Sequence, residues 1–367
     1  VDEGIRQEVI DAAVQLDYRL NITIHDVADL AHVSIATVSY AINNSAPVSE
    51  STRLRVQEAT RQLGYRPNIT ARNLKAGETR MIGYAWHEPA GGQISPVLDR
   101  FIYCLALAAE SYGYHGLTFT QPEDNAVGVY EDLIRTNRVD GFIVSNTNRD
   151  DPRIKYLISM GVPFAAFGRA NDSWDFCYVD VDGRRGIELA VEHLLERGHR
   201  RIGLIGWPEG SLAGDHRLQG YIDALTAANI PPHPAWIARA YNAPKEGGIA
   251  AQQLWSLPDS DRPTALVCVD DTLAIGAMQY FESIGVRVGI DVAVTGFDDS
   301  PMSEFLRPSL TSLRQPIELL ARQLIDLLIA RIENHLPEEH QLLLSPTLIT
   351  RASSARLFTD VKMAHRS

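Results

Sequence analysis

The chain has 367 residues, 45% of them hydrophobic and 22% charged, with 26 glycines and 19 prolines. That length suffices for two or three domains with substantial cores, and the composition excludes a disordered, collagen-like or disulfide-stapled protein. The formal net charge of −12 argues, taken whole, against a nucleic-acid partner.

The charge is unevenly spread. Residues 1–20 carry −3, residues 21–80 carry +2 (seven basic against five acidic side chains) and residues 81–367 carry −11. A short basic segment ahead of a large acidic one is the asymmetry expected of a polyanion-binding head on a separate body. Cys104, Cys177 and Cys268 are isolated in apolar stretches, which predicts buried free thiols and a reducing compartment. The acidic start has no apolar signal core, and the apolar run Phe101 to Ala109 is too short to span a bilayer, so a soluble cytoplasmic protein is expected.

In chain order, residues 1–20 read as a short amphipathic helix (Ile5, Val9, Ala12, Ala13, Leu16) with no assigned role. Thr23 and Asp26 stand at capping-box spacing before an apolar stripe of Val27, Ala28, Leu30 and Ala31. His32-Val33 makes a tight turn, and Ser34 caps a second helix, Ile35–Ile42, with Val38, Ala41 and Ile42 turned inward and Ile35, Ala36, Ser39 and Tyr40 outward. Two short helices joined in this way form a helix-turn-helix. Ser49 caps a third helix ending at Leu63 before Gly64, leaving Arg53, Arg55 and Arg61 for phosphates. The piece Ile69–Lys75 is too short to hold a helix alone and is expected to order against a partner.

From residue 81 apolar runs alternate with amphipathic stretches. The predicted strands are Met81–Trp86, Gly116–Thr120, Gly141–Ser145, Pro163–Gly168, Arg201–Trp207, Trp236–Tyr241, Thr264–Val269 and Val292–Phe297. Between them lie predicted helical segments such as Pro96–Tyr112, Ala126–Arg138, Gly186–Arg197, Leu218–Ala228 and Leu273–Ile284. This alternation indicates parallel sheets covered on both faces, divided into two lobes. Amphipathic Ile317–Ile332 is expected to pack on the body. The expected organisation is an N-terminal extension at 1–20, an all-α head at 21–66, a hinge and linker at 67–80 and an α/β body at 81–367.

Ligands of parallel sheets bind beyond the carboxyl ends of the strands. Trp86, His87 and Glu88, Ser145 and Asn146, Arg169, Trp207, Asp270 and Asp271, and Phe297, Asp298 and Asp299 sit there, with Arg217 at the start of the helix after Trp207. Aromatic faces beside carboxylates, an amide and guanidinium groups suit a polyhydroxylated ligand. No dinucleotide-binding or P-loop glycine motif, nucleophile elbow or zinc-ligand spacing occurs, so neither a cofactor, a metal nor a catalytic activity is expected.

The run Thr23–Lys75, with its D-V-A and V-S-I-A-T-V-S segments, the G-Y-R-P-N linker and A-R-N-L-K, resembles the DNA-binding head and hinge of the lactose-repressor (LacI/GalR) family of bacterial transcription regulators. The alternating body is similar as well, so the resemblance extends over everything after residue 20. It implies a helix-turn-helix head on a two-lobed body of the periplasmic-binding-protein type. Ser34, Ile35, Ala36, Thr37, Ser39 and Tyr40 would then face the major groove, and Asn43, Ser49 and Thr52 the phosphate backbone. Ala71 and Leu74 of paired hinge helices would enter the minor groove, with Lys75 at its edge. Tyr40 stands where many members have Arg, and Tyr cannot read guanine bidentately, so the operator sequence does not carry over. Arg217, Asp270 and Asp298 match effector-contact positions of sugar-responsive members. Trp86, Asn146, Trp207, Phe297 and Arg169 complete the expected effector set. The resemblance implies a repressor acting as a homodimer, or a dimer of dimers, on a pseudo-palindromic operator, with a sugar effector that induces. A purine effector, a transport-type sugar-binding protein and an enzyme on the same body are the rival readings.

Overall fold

The computed structural model describes residues 22–43, 46–65, 78–86, 96–122 and 125–356. The expected helix at 1–20, the hinge residues Ala71, Leu74 and Lys75, and His87 and Glu88 lie outside that set. The chain divides into two compact units between Glu78 and Thr79.

The first unit holds α1 (Ile24–Ala31), α2 (Ile35–Asn43) and α3 (Glu50–Leu63). The Asp26 carboxylate accepts from both the backbone N–H and the hydroxyl of Thr23 at 2.8 Å, so the first turn of α1 is closed by its own sequence. His32 ends α1 with a left-handed backbone (φ +52°), and Ser34 accepts from the Thr37 N–H at 3.1 Å to start α2. Val27, Ala28, Ala31, Val38, Ala41, Val56 and Ala59 form the buried core between the three helices. Small side chains at four of these seven positions allow such short helices to approach closely.

The second unit is a pair of six-stranded sheets. The first orders its strands β11-β5-β4-β3-β1-β2, from β1 (Met81–Trp86), β2 (His115–Thr120), β3 (Gly141–Val144), β4 (Phe164–Phe167), β5 (Cys177–Val181) and β11 (Gln341–Leu344). The second runs β12-β10-β9-β8-β6-β7, from β6 (Ile202–Gly206), β7 (Ile237–Arg239), β8 (Ala265–Cys268), β9 (Ala293–Asp298), β10 (Thr311–Arg314) and β12 (Thr347–Ile349). All pairings are parallel except β10 with β12. The helices α4 (Pro96–Ser111), α5 (Gly128–Arg135), α6 (Pro152–Met160), α7 (Gly183–Glu196), α8 (Leu212–Ala227), α9 (Pro244–Trp255), α10 (Asp271–Ser283), α11 (Pro301–Phe305) and α12 (Ile317–Ile332) cover them. Successive residues of β3 go to opposite faces: Phe142 joins Tyr130, Ile154 and Leu157 under α5 and α6, while Ile143 joins Phe101 and Leu324 under α4 and α12.

Three features depart from the linear reading. The lobes are interleaved: α12 packs on α4 and on β3, β4 and β5, and β11 adds to the first sheet before β12 returns to the second. Strands β5, β10, β11 and β12 and helices α6, α9 and α11 had not been predicted; the strands are three to five residues long. Finally, α8 begins at Leu212 rather than Leu218, because Ser211 accepts from the Gly214 N–H at 3.2 Å and caps the helix there. Arg217 therefore lies in the second turn of α8. The three cysteines are buried free thiols. Among the described residues no helix is long and apolar enough to cross a membrane, and no cluster of His, Cys, Asp and Glu has a metal-binding arrangement.

Candidate DNA-contact and effector sites

The helical period divides α2 sharply. Val38 is 0% exposed, whereas Ile35 and Tyr40 are 40% and 44% exposed, with Ser34 and Ala36 exposed beside them and Thr37 and Ser39 half-buried. An isoleucine and a tyrosine displayed with small neighbours form a surface of mixed apolar and hydroxyl character. The Ser34 and Thr37 hydroxyls are 2.8 Å apart, which fixes both rotamers at the start of the helix. Asn43 closes α2. Ser49 caps α3, accepting from the Thr52 N–H at 3.3 Å and donating its hydroxyl to Thr52 Oγ1 at 2.8 Å. Arg55 is exposed on the same helix, while Arg61 is held by Glu58 at 2.6 Å.

In the second unit the carboxyl ends of β6, β8 and β9 converge on Arg217. Its guanidinium lies 3.9 Å from the ring centre of Phe297 and 4.6 Å from that of Trp207, and it donates to the Val269 carbonyl. Stacking on two aromatic faces lets the side chain be 93% buried, since it is only 7% exposed. Gly183, at the start of α7, leaves room for it: a Cβ there would lie 3.0 Å from Arg217 Cγ. Burial pulls the Arg217 pKa below its usual value, and Asp298, Asp270 and Asp180 pull it back up. Among the described residues no carboxylate forms a direct ion pair with it, and its Nε is buried without a partner.

Two carboxylates complete this wall. Asp270 is 1% exposed; its Oδ1 accepts from the Leu273 N–H at 2.7 Å, capping α10, and its Oδ2 accepts from the Trp207 indole at 2.6 Å. Asp298 ends β9 with a backbone φ of +118°, a strained geometry for a side chain with a Cβ, and accepts from the Gln315 amide at 2.5 Å. Burial raises the pKa of both. For Asp270 the Leu273 N–H and the Trp207 indole oppose the rise; for Asp298 the Arg217 charge does.

The first lobe supplies the facing side. Asp180 at the end of β5 is near enough to influence Arg217, and it binds Arg169 at 2.8 Å. Arg169 is therefore committed within its own lobe. Arg149 reaches across to Asp215 of α8 at 2.9 Å. Trp86 is 40% exposed at the end of β1, and Asn146 is exposed beyond β3 with a left-handed backbone (φ +52°). Among the described residues neither side chain hydrogen-bonds to the Arg217 group. Beneath this side lies a buried pair that the sequence reading missed. Arg153 and Asp151, 3% and 1% exposed, are 2.6 Å apart, and Arg153 also donates to the Ser145 and Asn146 carbonyls at 3.1 and 3.0 Å. The structure thus brings Arg217, Trp207, Phe297, Asp270 and Asp298 together, adds Asp180, Asp215 and Gln315, and leaves Trp86 and Asn146 at the ends of neighbouring strands. Two buried histidines have hydroxyl partners elsewhere in this unit: His193 meets Ser354, and His199 meets Thr264, at 2.9 Å each.

Comparison with known proteins agrees with this two-part construction. Residues 23–68 match the model of bacterial regulatory proteins of the lacI family, and residues 191–354 match a periplasmic binding protein-like domain. The transcriptional regulator CelR of Thermobifida fusca is 33% identical over 346 residues, covering 92% of this chain and all of that one. A solved CelR–cellobiose complex has 31% identity and a TM-score of 0.67, with 91% of this chain and 100% of that chain covered. The transcriptional repressor PurR of Proteus mirabilis is 32% identical over 91% of this chain and 97% of its own. A Lac repressor dimer bound to operator and an anti-inducer superposes with a TM-score of 0.79 at 27% identity, over 91% of this chain and 99% of that one. A helix-turn-helix head on a two-sheet body, with this similarity running nearly end to end, makes the chain a member of the LacI family of bacterial DNA-binding transcriptional regulators.

Proposed function

We propose that this regulator is a repressor that binds a pseudo-palindromic operator as a homodimer and responds to a small sugar held between the two lobes of its body. Ser34, Ile35, Ala36, Thr37, Ser39 and Tyr40 read bases from the major groove. Asn43, Ser49 and Thr52 set the register on phosphates, and Ala71, Leu74 and Lys75 of the paired hinges open the minor groove. The body is a sensor rather than a catalyst and acts in the cytoplasm, where the operator is.

The observation that carries the effector assignment is the grouping of Arg217 with Trp207, Phe297, Asp270 and Asp298 at the carboxyl ends of β6, β8 and β9. An aromatic face covers the apolar side of a pyranose, while a guanidinium and a carboxylate take opposite ends of its hydroxyl groups. Arg217, Asp298 and Asp270 contact the ligand, Trp207 and Phe297 shape the wall, and Trp86, Asn146 and Arg169 close the site from the first lobe. The cellobiose in the CelR complex supports a sugar. The PurR relative keeps a purine as the second reading.

Purified protein is tested for retarding DNA from its own upstream region, with and without a panel of sugars and purines. Retardation relieved by a sugar is the expected result. Release by a purine and by no sugar would overturn the effector assignment, and failure to retard any such DNA the operator assignment.

A further inference from the structure

We propose that the effector is an uncharged saccharide, and that the carboxylates of the cleft discriminate electrostatically against its phosphorylated or acidic forms. This rests on the reading that a saccharide binds between the lobes and goes beyond it by naming the charge class.

The deep wall holds one guanidinium against two carboxylates. Arg217 is stacked between Trp207 and Phe297 without a direct ion pair among the described residues, and Asp270 and Asp298 lie close enough to shift its proton affinity. A hydroxyl group serves both sides at once, accepting from the guanidinium and donating to a carboxylate. A phosphate group carries close to two negative charges near neutral pH and offers mainly acceptors. It satisfies Arg217 but lies against the carboxylates of Asp270 and Asp298, and it offers no donor to the Asp298 oxygen that Gln315 leaves free.

The surface around the Arg149–Asp215 contact has the same bias. A cavity of about 240 Å³ is lined by Arg149, Asp150, Asn171, Asp172 and Leu212, among others. Its arginine is already taken by Asp215 at 2.9 Å, while Asp150 accepts only from the neutral Asn171 amide at 2.5 Å and Asp172 is exposed. Other arginines nearby also have carboxylate partners within the protein: Arg169 has Asp180 at 2.8 Å, Arg239 has Glu209 at 3.7 Å, and Arg314 shares Asp299 with Arg351, at 2.6 Å each. Among the described residues, Arg217 is thus the cleft guanidinium without a carboxylate partner, and a phosphate would reach it only against Asp270 and Asp298. Like charges about 6 Å apart in a partly screened protein environment repel strongly enough to weaken binding by at least ~10-fold.

The test is calorimetric titration of the full-length protein with cellobiose, lactose, glucose, galactose and ribose, each beside its phosphorylated counterpart, and with hypoxanthine and guanine. The expected result is that the neutral form of the binding sugar is at least ~10-fold tighter than its phosphate. Asp298→Asn keeps an oxygen for Gln315 and tolerates positive φ, and it should narrow that ratio several-fold. Should Asp298→Asn bind nothing, Asp172→Asn in the cavity beside Arg149 reports the same narrowing. Equal or tighter binding of the phosphate overturns the charge assignment while leaving the sugar reading standing. A preference that both variants leave unchanged overturns the electrostatic cause. Binding of a purine alone, or of none of these compounds, overturns the sugar reading on which the inference rests.

Discussion

At the scale of single residues, a buried histidine of the body makes its stability depend on pH. His199 donates or accepts at Thr264 Oγ1 in a site where it is 3% exposed, and burial, reinforced by neighbouring His193, lowers its pKa to about 4. An unfolded chain protonates this histidine near pH 6.5, whereas the folded protein resists until about 4. The unfolded state then binds more protons across that window, so stability falls as pH drops from 6.5 towards 4, by about 3 kcal/mol. Asp271 acts in the opposite sense. Burial among Ser300, Ser303 and Ser312 lifts it to about 6, and its contribution is lost as pH rises through the same range. The diagnostic quantity is therefore a difference. Urea denaturation of wild type and His199→Gln at pH 5 and pH 7 should show the variant losing about 2 kcal/mol less on acidification. Equal losses would contradict the assignment.

At the scale of elements, the second lobe depends on two helices meeting through glycine. A Cβ on Gly276 of α10 would lie 1.8 Å from the Pro244 carbonyl oxygen, and one on Gly247 of α9 would lie 2.3 Å from that of Leu273. Both clashes are with backbone, which cannot rotate away. Gly276→Ala should cost about 1–3 kcal/mol and lower the melting temperature of the body. Gly248→Ala, whose Cβ would stand 3.3 Å from the Gly276 oxygen, should cost distinctly less. Comparable losses at both positions would show that the helices slide apart freely. The same scale separates the unpredicted elements that carry a local signal from those that carry none. Helix α6 carries a legible start, Asp151 capping ahead of Pro152, and β5 alternates buried and half-buried residues. Strands β11 and β12 offer only four and three residues, and β11 finds its partner in β5, far earlier in the chain.

At the scale of the whole molecule, the −12 net charge describes a sensor of −11 joined to a small head of +2, with the remaining −3 on residues 1–20. So small a positive charge provides little nonspecific attraction to DNA, and on the proposed mechanism affinity comes from dimerisation and from hinge segments that fold on the operator. Operator and effector binding are then reciprocally coupled, typically by about 1–3 kcal/mol. Leu74→Ala should weaken operator binding, by about 10-fold or more if the side chain wedges a base step, and leave effector affinity for the free protein unchanged. Gel retardation and calorimetry on the same preparation separate the two. Equal losses in both would contradict the hinge role.

Local chemistry determined the head: cap residues, a left-handed turn and a helical period of small apolar side chains act over a few positions, so α1, α2 and α3 were legible from neighbouring residues. The strand–helix rhythm likewise revealed two parallel-sheet lobes, and the rule that ligands sit beyond strand ends selected Arg217, Trp207, Asp270, Phe297 and Asp298. Only the tertiary structure decided what those residues do to one another. The stacking of Arg217 on two rings, its lack of an ion pair, the twofold task of Asp270 as cap and indole acceptor, and the pairing of Arg149 with Asp215 all join residues tens of positions apart. The interleaving of the lobes through α12 and β11 has the same origin. Burial, charge balance and register between distant segments are properties of the assembled core, and no local pattern encodes them.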